Sequence, residues 1–134
     1  MVTDMNFNDS AQDCESHGGA LASVRSVWDQ EFLSSLSFSR KTWIGGHDRN
    51  NQGVFEWLSE EAGPDGFYDN FKTDSPTNHD HQDCIMMNTD GTWNDVLCNK
   101  ELVHFCQIEP SVGANSEYCM CTSYLSYTII VSLW

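Results

Sequence analysis

The sequence is poor in basic side chains: six Lys and Arg are outnumbered by twenty Asp and Glu, for a formal net charge of −14. Nucleic-acid binding needs a cluster of Lys or Arg against the phosphates, so we expect no nucleic-acid partner. Anionic membrane surfaces are disfavoured for the same reason, whereas cationic ligands and divalent metals are favoured. The acidic surplus is equally compatible with a role in solubility alone.

Motifs that carry catalysis are also absent. The chain has no Gly-x-Ser-x-Gly elbow, no phosphate-binding glycine loop and no His-Glu-x-x-His. Acidic pairs such as Glu60 with Glu61, or Asp80 with Asp83, would suit glycosidase chemistry only if their surroundings separated their pKa values. Nothing in the sequence indicates such surroundings, so we predict that the protein is not an enzyme.

No apolar run reaches the about twenty residues that a membrane-spanning helix needs. The longest uncharged stretch is the tail, residues 118–134. It is compatible with a truncated membrane span, a lipid-anchor signal or an edge strand, and we expect a membrane partner only if it is an anchor. Cys119 and Cys121 lie in this tail, and they can pair with each other, stay free or link two chains into a homodimer.

Cysteine, by contrast, is plentiful: six residues in a chain of 134. This frequency indicates an oxidising compartment, so we expect a secreted or cell-surface protein. Four of the cysteines are widely spaced, as structural bridges usually are, and none has the spacing of a zinc finger: Cys14, Cys84, Cys98 and Cys106. Spacing alone leaves their three possible pairings open.

Two helices are predicted in the first third of the chain. Residues 10–13 form a capping box that would open a helix ending at residues 17–19, and residues 26–29 form a second capping box. Four apolar residues at helical spacing follow, and we expect them to pack in the core: Trp28, Phe32, Leu33 and Leu36.

The later part of the chain indicates strands. The predicted strands are residues 42–46, 54–58, 84–87 and 102–106. Residues 59–83 have little periodicity, and a loop of that length in a compact domain usually carries function. Helices followed by strands predict an α+β fold.

Several segments, in order, match one family. They are Ala11-Gln12-Asp13-Cys14-Glu15, Gly18-Gly19-Ala20-Leu21-Ala22-Ser23-Val24, Trp43-Ile44-Gly45-Gly46, Pro76, Asp83-Cys84, Gly91-Thr92-Trp93-Asn94-Asp95, Cys98 and Phe105-Cys106. Together they resemble a C-type lectin-like domain over roughly residues 5–108. The resemblance implies two helices, antiparallel strands and a long loop in a domain of residues 1–108, followed by a tail of unknown role, residues 109–134.

The resemblance also implies a disulfide pairing, Cys14 with Cys106 and Cys84 with Cys98. Little sequence precedes Phe7, so the family's usual first strand would be clipped. No leader peptide follows Met1 either, because polar residues interrupt any apolar run there. Both observations lead us to expect an incomplete N-terminus.

Sugar-binding members of this family hold a calcium ion beside the long loop, and the sugar hydroxyls coordinate the same ion. The matching positions in this chain form the candidate ligand site: Ser75, Thr77, Gln82, Asn94 and Asp95. Only Asp95 still carries a full negative charge, and calcium affinity falls with the charge of the ligands. Calcium coordination by Thr77, Gln82, Asn94 and Asp95 is therefore a weakened, degenerate version of the family's site.

An auxiliary calcium site of some relatives is reduced in the same way. Asp48 and Asp83 match it, whereas Gln52 and Asn78 occupy positions where carboxylates are expected. Amides in place of carboxylates at both sites suggest a domain that no longer depends on calcium.

Two further interpretations concern the same region. His79 and His81 would lie on one face of an extended segment and could bind a transition metal, although a hydrated polar loop is the simpler interpretation. Trp93 could be a stacking platform for a sugar, but we expect it in the core, with Asn94 and Asp95 pointing outward.

We therefore predict non-catalytic ligand recognition, with a carbohydrate as the default ligand and a degenerate calcium site. One alternative is a calcium-independent module that recognises a protein or a lipid. Another is an ice-binding protein, since flat threonine-rich surfaces can order water and four threonines cluster near the site: Thr73, Thr77, Thr89 and Thr92. A third is an interaction module that dimerises through swapped loops or the tail cysteines.

Overall fold

The computed structural model describes residues 4–36, 40–59, 66–108 and 128–131. Its elements are two helices, α1 (Phe7–Ser16) and α2 (Val27–Leu36), and seven strands, β1 (Ala20–Leu21), β2 (Thr42–His47), β3 (Glu56–Trp57), β4 (Cys84–Met87), β5 (Trp93–Val96), β6 (Val103–Ile108) and β7 (Thr128–Val131). Most strands follow both helices, so the predicted α+β class is confirmed.

Helix α1 starts earlier than its predicted capping box. Asn6 caps the helix, because its side chain accepts a hydrogen bond from the backbone N–H of Asp9 at 2.8 Å. The predicted start at residue 10 is therefore wrong: Ser10 lies buried inside the helix. The end is as predicted, with His17 as the C-cap and Gly18 at a φ of 85°.

Helix α2 begins at its predicted cap, where the backbone N–H of Asp29 donates to the Ser26 hydroxyl at 3.3 Å. Its predicted apolar stripe is only half right. Leu33 is buried, but Trp28 is 76% exposed and Phe32 is 45% exposed. The reason is Gln30, which is buried, donates to the carbonyl of Gly91 at 2.6 Å and thereby turns a different face of the helix inward.

The strands follow the order β1-β6-β2-β4-β5, with β3 paired to β2 and β7 paired to β6. The sheet is mixed, since β2 and β6 run parallel while the other pairs are antiparallel. The prediction of antiparallel strands alone is therefore wrong for that one pair. Strand β3 is shorter than the predicted residues 54–58, and strand β5 had not been predicted.

The tail contributes strand β7, which extends the sheet beside β6 in antiparallel register, from Phe105 opposite Val131 to Ile108 opposite Thr128. Of the alternatives for the tail, an edge strand is the one seen in its described part. Cys119 and Cys121 lie outside the described residues. Among the residues that are described, no helix has the length and apolar character to cross a membrane.

Two apolar clusters form the core, and the disulfides fasten one of them. Cys14 pairs with Cys106 across 92 residues, and Cys84 pairs with Cys98 across 14. These are the pairs that the resemblance implies. Loop-closure entropy makes the shorter bridge worth about 3 kcal/mol and the longer one somewhat under about 5 kcal/mol.

Candidate functional site

Trp93 fixes the strand that carries the candidate site. It is fully buried, and its indole N–H donates to the side-chain oxygen of Gln30 at 2.8 Å. Its backbone meets the long loop through two hydrogen bonds, from Lys72 N–H to Trp93 O and from Trp93 N–H to Asn70 O, both 3.0 Å. The predicted core role of Trp93 is confirmed, and the loop after residue 70 lies beside strand β5.

Asp95 is the centre of the site. Its carboxylate accepts three hydrogen bonds from the loop: Thr77 N–H at 2.8 Å, the Thr77 hydroxyl at 2.8 Å and Asn78 N–H at 2.9 Å. The loop covers Asp95, which is 2% exposed, so the prediction that it points outward is wrong. Each bond to a charged acceptor is stronger than a neutral one, and together they fasten the loop to strand β5.

Thr77 links Asp95 to Gln82. The Thr77 hydroxyl lies 2.8 Å from both Asp95 Oδ2 and Gln82 Oε1, and its single proton can be donated to only one of them at a time. Thr77 is exposed and Gln82 is half-buried. Both side chains therefore remain accessible beside a buried carboxylate.

Ser75 and Asn94 meet at the other end of the site. The Asn94 amide donates to the Ser75 hydroxyl at 2.7 Å, and the Asn94 oxygen accepts from the Asn88 amide at 2.7 Å. Sequence reasoning missed Asn88; the only signal was its place directly after strand β4. We refer to these interacting residues as the loop network: Ser75, Thr77, Gln82, Asn88, Asn94 and Asp95.

The structure thus brings together all five residues of the candidate ligand site, but their chemistry does not fit calcium. Calcium takes six to eight oxygen ligands and is held in proportion to their negative charge. The loop network offers one carboxylate, on Asp95, and that group already accepts three hydrogen bonds. The Asn94 oxygen is also engaged, by the Asn88 amide.

Asp48 and Asp83, which match the auxiliary calcium site, are arranged differently from the loop network. Asp48 is 2% exposed, and its Oδ2 accepts from the Gln52 amide at 2.9 Å and from Gly53 N–H at 2.8 Å. Burial raises the pKa of Asp48, and the neighbouring Asp83 carboxyl raises it further. Gln52 donates where a calcium ligand would have to offer oxygen. The raised pKa of Asp48 disfavours the charged carboxylate that a calcium ion would need.

We expect Asp48→Asn to make the stability of the protein less dependent on pH. The pKa of Asp48 is raised above 3.8, so the folded state binds the proton more tightly than the unfolded chain. That contribution is fully present below the unfolded pKa and is lost as pH rises through the folded pKa. As pH rises from about 3.8, the reference pKa, the free energy of unfolding of the wild type should therefore fall relative to that of the variant.

Urea unfolding between acid and neutral pH measures this difference, with Asp80→Asn as the control for removing an acidic residue at an exposed position. Parallel stability curves for wild type and Asp48→Asn would contradict a raised pKa at this position.

His79 and His81 do not lie on the extended segment that the proposed transition-metal site requires. His79 and His81 lie in a turn closed by Gln82 N–H donating to the carbonyl of His79 at 3.1 Å, and His81 has a φ of 70°. The segment is therefore not extended. Across residues 4–36, 40–59 and 66–108, one cluster of possible metal ligands occurs, Cys14 and Cys106 with His104, and both cysteines are consumed by their disulfide.

The chain is similar to known proteins that share one domain family. The family model described as the lectin C-type domain matches residues 3–108. Lectin BRA-3 of Megabalanus rosa is 32% identical over 114 residues, which are 81% of this chain and 68% of that protein. The low affinity immunoglobulin epsilon Fc receptor of Mus musculus is 36% identical over 90 residues, 66% of this chain. The chain matches only 26% of the receptor's length.

Two solved structures share the fold of this chain. A calcium-independent type II antifreeze protein superposes with a TM-score of 0.72 at 23% identity, over 78% of this chain and 79% of that one. The cow C-type carbohydrate-recognition domain of CD23, solved in the presence of a GlcNAc2Man3 oligosaccharide, superposes with a TM-score of 0.68 at 30% identity, over 75% and 77%. At 23% identity the first of these shows the fold alone.

Proposed function

The chain belongs to the C-type lectin domain family, whose members bind ligands without catalysis, and on that premise we propose that it recognises a carbohydrate through the loop network without calcium. The recognising domain would be residues 1–108, with the tail, residues 109–134, outside the site. The two disulfides and the relatives support an extracellular or cell-surface location.

The hydrogen bonding of Asp95 carries this proposal. In the described loop, the donors of Thr77 and Asn78 satisfy a charge that calcium would otherwise offset. The hydroxyl and amide groups of Ser75, Thr77 and Gln82 lie at exposed or half-buried positions, although each makes a hydrogen bond within the protein. Such groups both donate and accept, which matches the hydroxyls of a sugar.

Two of the relatives support a sugar ligand, whereas the Mus musculus relative is named as an immunoglobulin epsilon Fc receptor. One is named a lectin, and one solved relative at 30% identity is a carbohydrate-recognition domain studied with an oligosaccharide. An ice-binding role has less support in the described site. The hydroxyl of Thr92 lies 2.6 Å from the carboxylate of Asp90, so it is engaged there rather than presented to water.

We expect glycan binding to be unchanged when calcium is replaced by a chelator. A glycan array probed in both conditions measures this. Loss of binding in chelator would contradict a calcium-independent site. Absence of any glycan signal in either condition would overturn the carbohydrate proposal and favour a protein or lipid partner, with thermal hysteresis as the separate test for ice.

A matched pair of variants locates the site. Asn94→Ala removes the donor to Ser75 and the acceptor of the Asn88 amide, each at 2.7 Å. Ser75 would then no longer be held in place for a sugar, and we expect glycan binding to weaken about tenfold, roughly the worth of one hydrogen bond. Asn99→Ala removes an exposed amide outside the loop network and should leave binding unchanged. Equal effects of the two variants would place the glycan elsewhere on the domain.

Cys119 and Cys121 would allow a disulfide-linked homodimer. If Cys119 or Cys121 links two chains, a non-reducing gel will show a species of twice the monomer mass that disappears on reduction. Substitution of both cysteines by Ser should abolish that species, and a monomer in both lanes would contradict the disulfide-linked homodimer.

A further inference from the structure

A cleft of about 430 Å³ lies between the start of helix α2 and the chain segment of residues 66–69. It is formed by residues outside the loop network. Its lining combines aromatic and charged side chains, which include Arg25, Trp28, Phe67, Tyr68 and Asp69. The volume lies within the range of pockets that hold a small molecule or one or two side chains of a partner.

One wall of the cleft is rigid. Phe67 stacks on Trp57 with ring centroids 5.1 Å apart and an interplanar angle of 13°. Tyr68 meets the edge of the buried Trp93 at 6.1 Å. Both aromatic rings are thereby anchored in the core, so this wall is preformed and a ligand need not order it.

The other wall is an exposed indole. Trp28 is 76% exposed, and its helical neighbours Val27 and Phe32 are 47% and 45% exposed. Most of the apolar area of Trp28 therefore remains in water and contributes little to the stability of the domain. An aromatic patch of this kind, next to a formed cleft, is typical of a binding surface.

The charge around the cleft is negative. Asp29 accepts a hydrogen bond from the backbone N–H of Arg25 at 2.9 Å, and its carboxylate lies 3.9 Å from the Arg25 guanidinium, so these two charges largely offset each other. The carboxylates of Glu31 and Asp69 supply the remaining negative charge near the cleft. Burial raises the pKa of Tyr68, and the charges of Glu31 and Asp69 raise it further, as expected where the local potential is negative.

We propose that this cleft binds a Lys or Arg side chain presented by a basic segment of a protein partner. A cation over the face of an exposed Trp, with carboxylates nearby, is stabilised by the ring quadrupole and by Coulomb attraction together. The net charge of −14 draws a basic partner towards the domain from a distance and repels an acidic one. The cleft would then hold one Lys or Arg side chain of that partner at a defined place, beside Trp28 and Asp69.

The test uses two blocked pentapeptides, Gly-Ser-Arg-Ser-Gly and the same peptide with citrulline, a neutral isostere, in place of Arg. Titration into labelled protein is followed by the indole N–H signals in a nitrogen–proton spectrum, with the signal of Trp28 assigned from Trp28→Phe. We expect the Arg peptide to shift the Trp28 signal and the citrulline peptide to leave it unchanged.

Two variants test the position. Trp28→Ala should weaken Arg-peptide binding about 2- to 30-fold, the range of a cation–π contact, and its high exposure makes unfolding of the variant unexpected. Asp69→Asn should weaken binding as well, whereas Glu101→Gln, an equal charge change at an exposed position just before strand β6, should not.

Three outcomes would overturn the proposal. Equal binding of the citrulline peptide would show that the cleft is merely apolar. Equal weakening by Asp69→Asn and Glu101→Gln would show that only overall charge attracts the peptide. Unchanged binding by Trp28→Ala would place the cation elsewhere. None of these depends on glycan binding, which Asn94→Ala tests separately.

Discussion

The triple variant Ser75→Glu, Thr77→Asn and Gln82→Glu is expected to bind calcium with a Kd of about 10⁻⁴–10⁻³ M, the range of weak extracellular sites. Two added carboxylates would flank Asp95, and the hydroxyl that now lies 2.8 Å from its Oδ2 would be removed. The wild-type chain should show no binding in the same range. Isothermal titration calorimetry measures both directly.

The control for this gain is Thr73→Glu with Thr89→Glu, which adds the same two charges at exposed positions outside the loop network. It should bind calcium no better than wild type. Removal of calcium from the triple variant should also lower its melting temperature, because three carboxylates would then repel one another at one site. Calcium binding by wild type as tight as by the triple variant would show that the argument from charge is wrong.

Asp95→Ala is expected to lower the free energy of unfolding by about 2–4 kcal/mol, because it takes the charged acceptor away from the backbone N–H groups of Thr77 and Asn78 and leaves the Thr77 hydroxyl with Gln82 alone. Urea unfolding gives the value. Hydrogen exchange should show where the loss occurs, with faster exchange at the amides of Thr77 and Asn78. Asp95→Asn should cost less, since one oxygen of the side chain remains an acceptor.

A close comparison is Asp90, which also accepts two hydrogen bonds from one threonine: from Thr92 N–H at 3.0 Å and from its hydroxyl at 2.6 Å. Asp90 is exposed, so water replaces what Asp90→Ala removes, and we expect a much smaller change. If Asp90→Ala and Asp95→Ala were equally destabilising, the buried carboxylate would not be what fastens the loop.

The sequence predicted the elements whose signals are local. The Ser26 cap, strand β4 and the end of helix α1 follow from capping residues, apolar runs and glycine, all of which act within a few positions. The site residues and the disulfide pairs came instead from the resemblance to a family, because spacing leaves such choices open. The described hydrogen bonds then join Thr77, Gln82 and Asp95 in one group and Ser75, Asn88 and Asn94 in another.

The failures at Trp28, Asp95 and strand β5 have a common physical cause, which is hydrogen bonding between residues far apart in the chain. Gln30 bonds Gly91 and Trp93, and this turns Trp28 outward although its spacing suggests the core. Asp95 is buried because donors 17 and 18 positions earlier in the sequence satisfy it. Strand β5 was missed for the same reason, since polar residues in the sequence give no sign of such partners.

The disulfide between Cys14 and Cys106 has a consequence for the covalent integrity of the domain. It joins the first helix to strand β6, so the chain between the two cysteines is a closed ring. A protease that cuts any single peptide bond in that ring leaves one connected molecule, heavier by one water. The nicked protein would migrate as one species without reductant and as two fragments after reduction. Outside the cell, where proteases are common, the long loop of residues 59–83 can therefore be cut while the two fragments stay covalently joined.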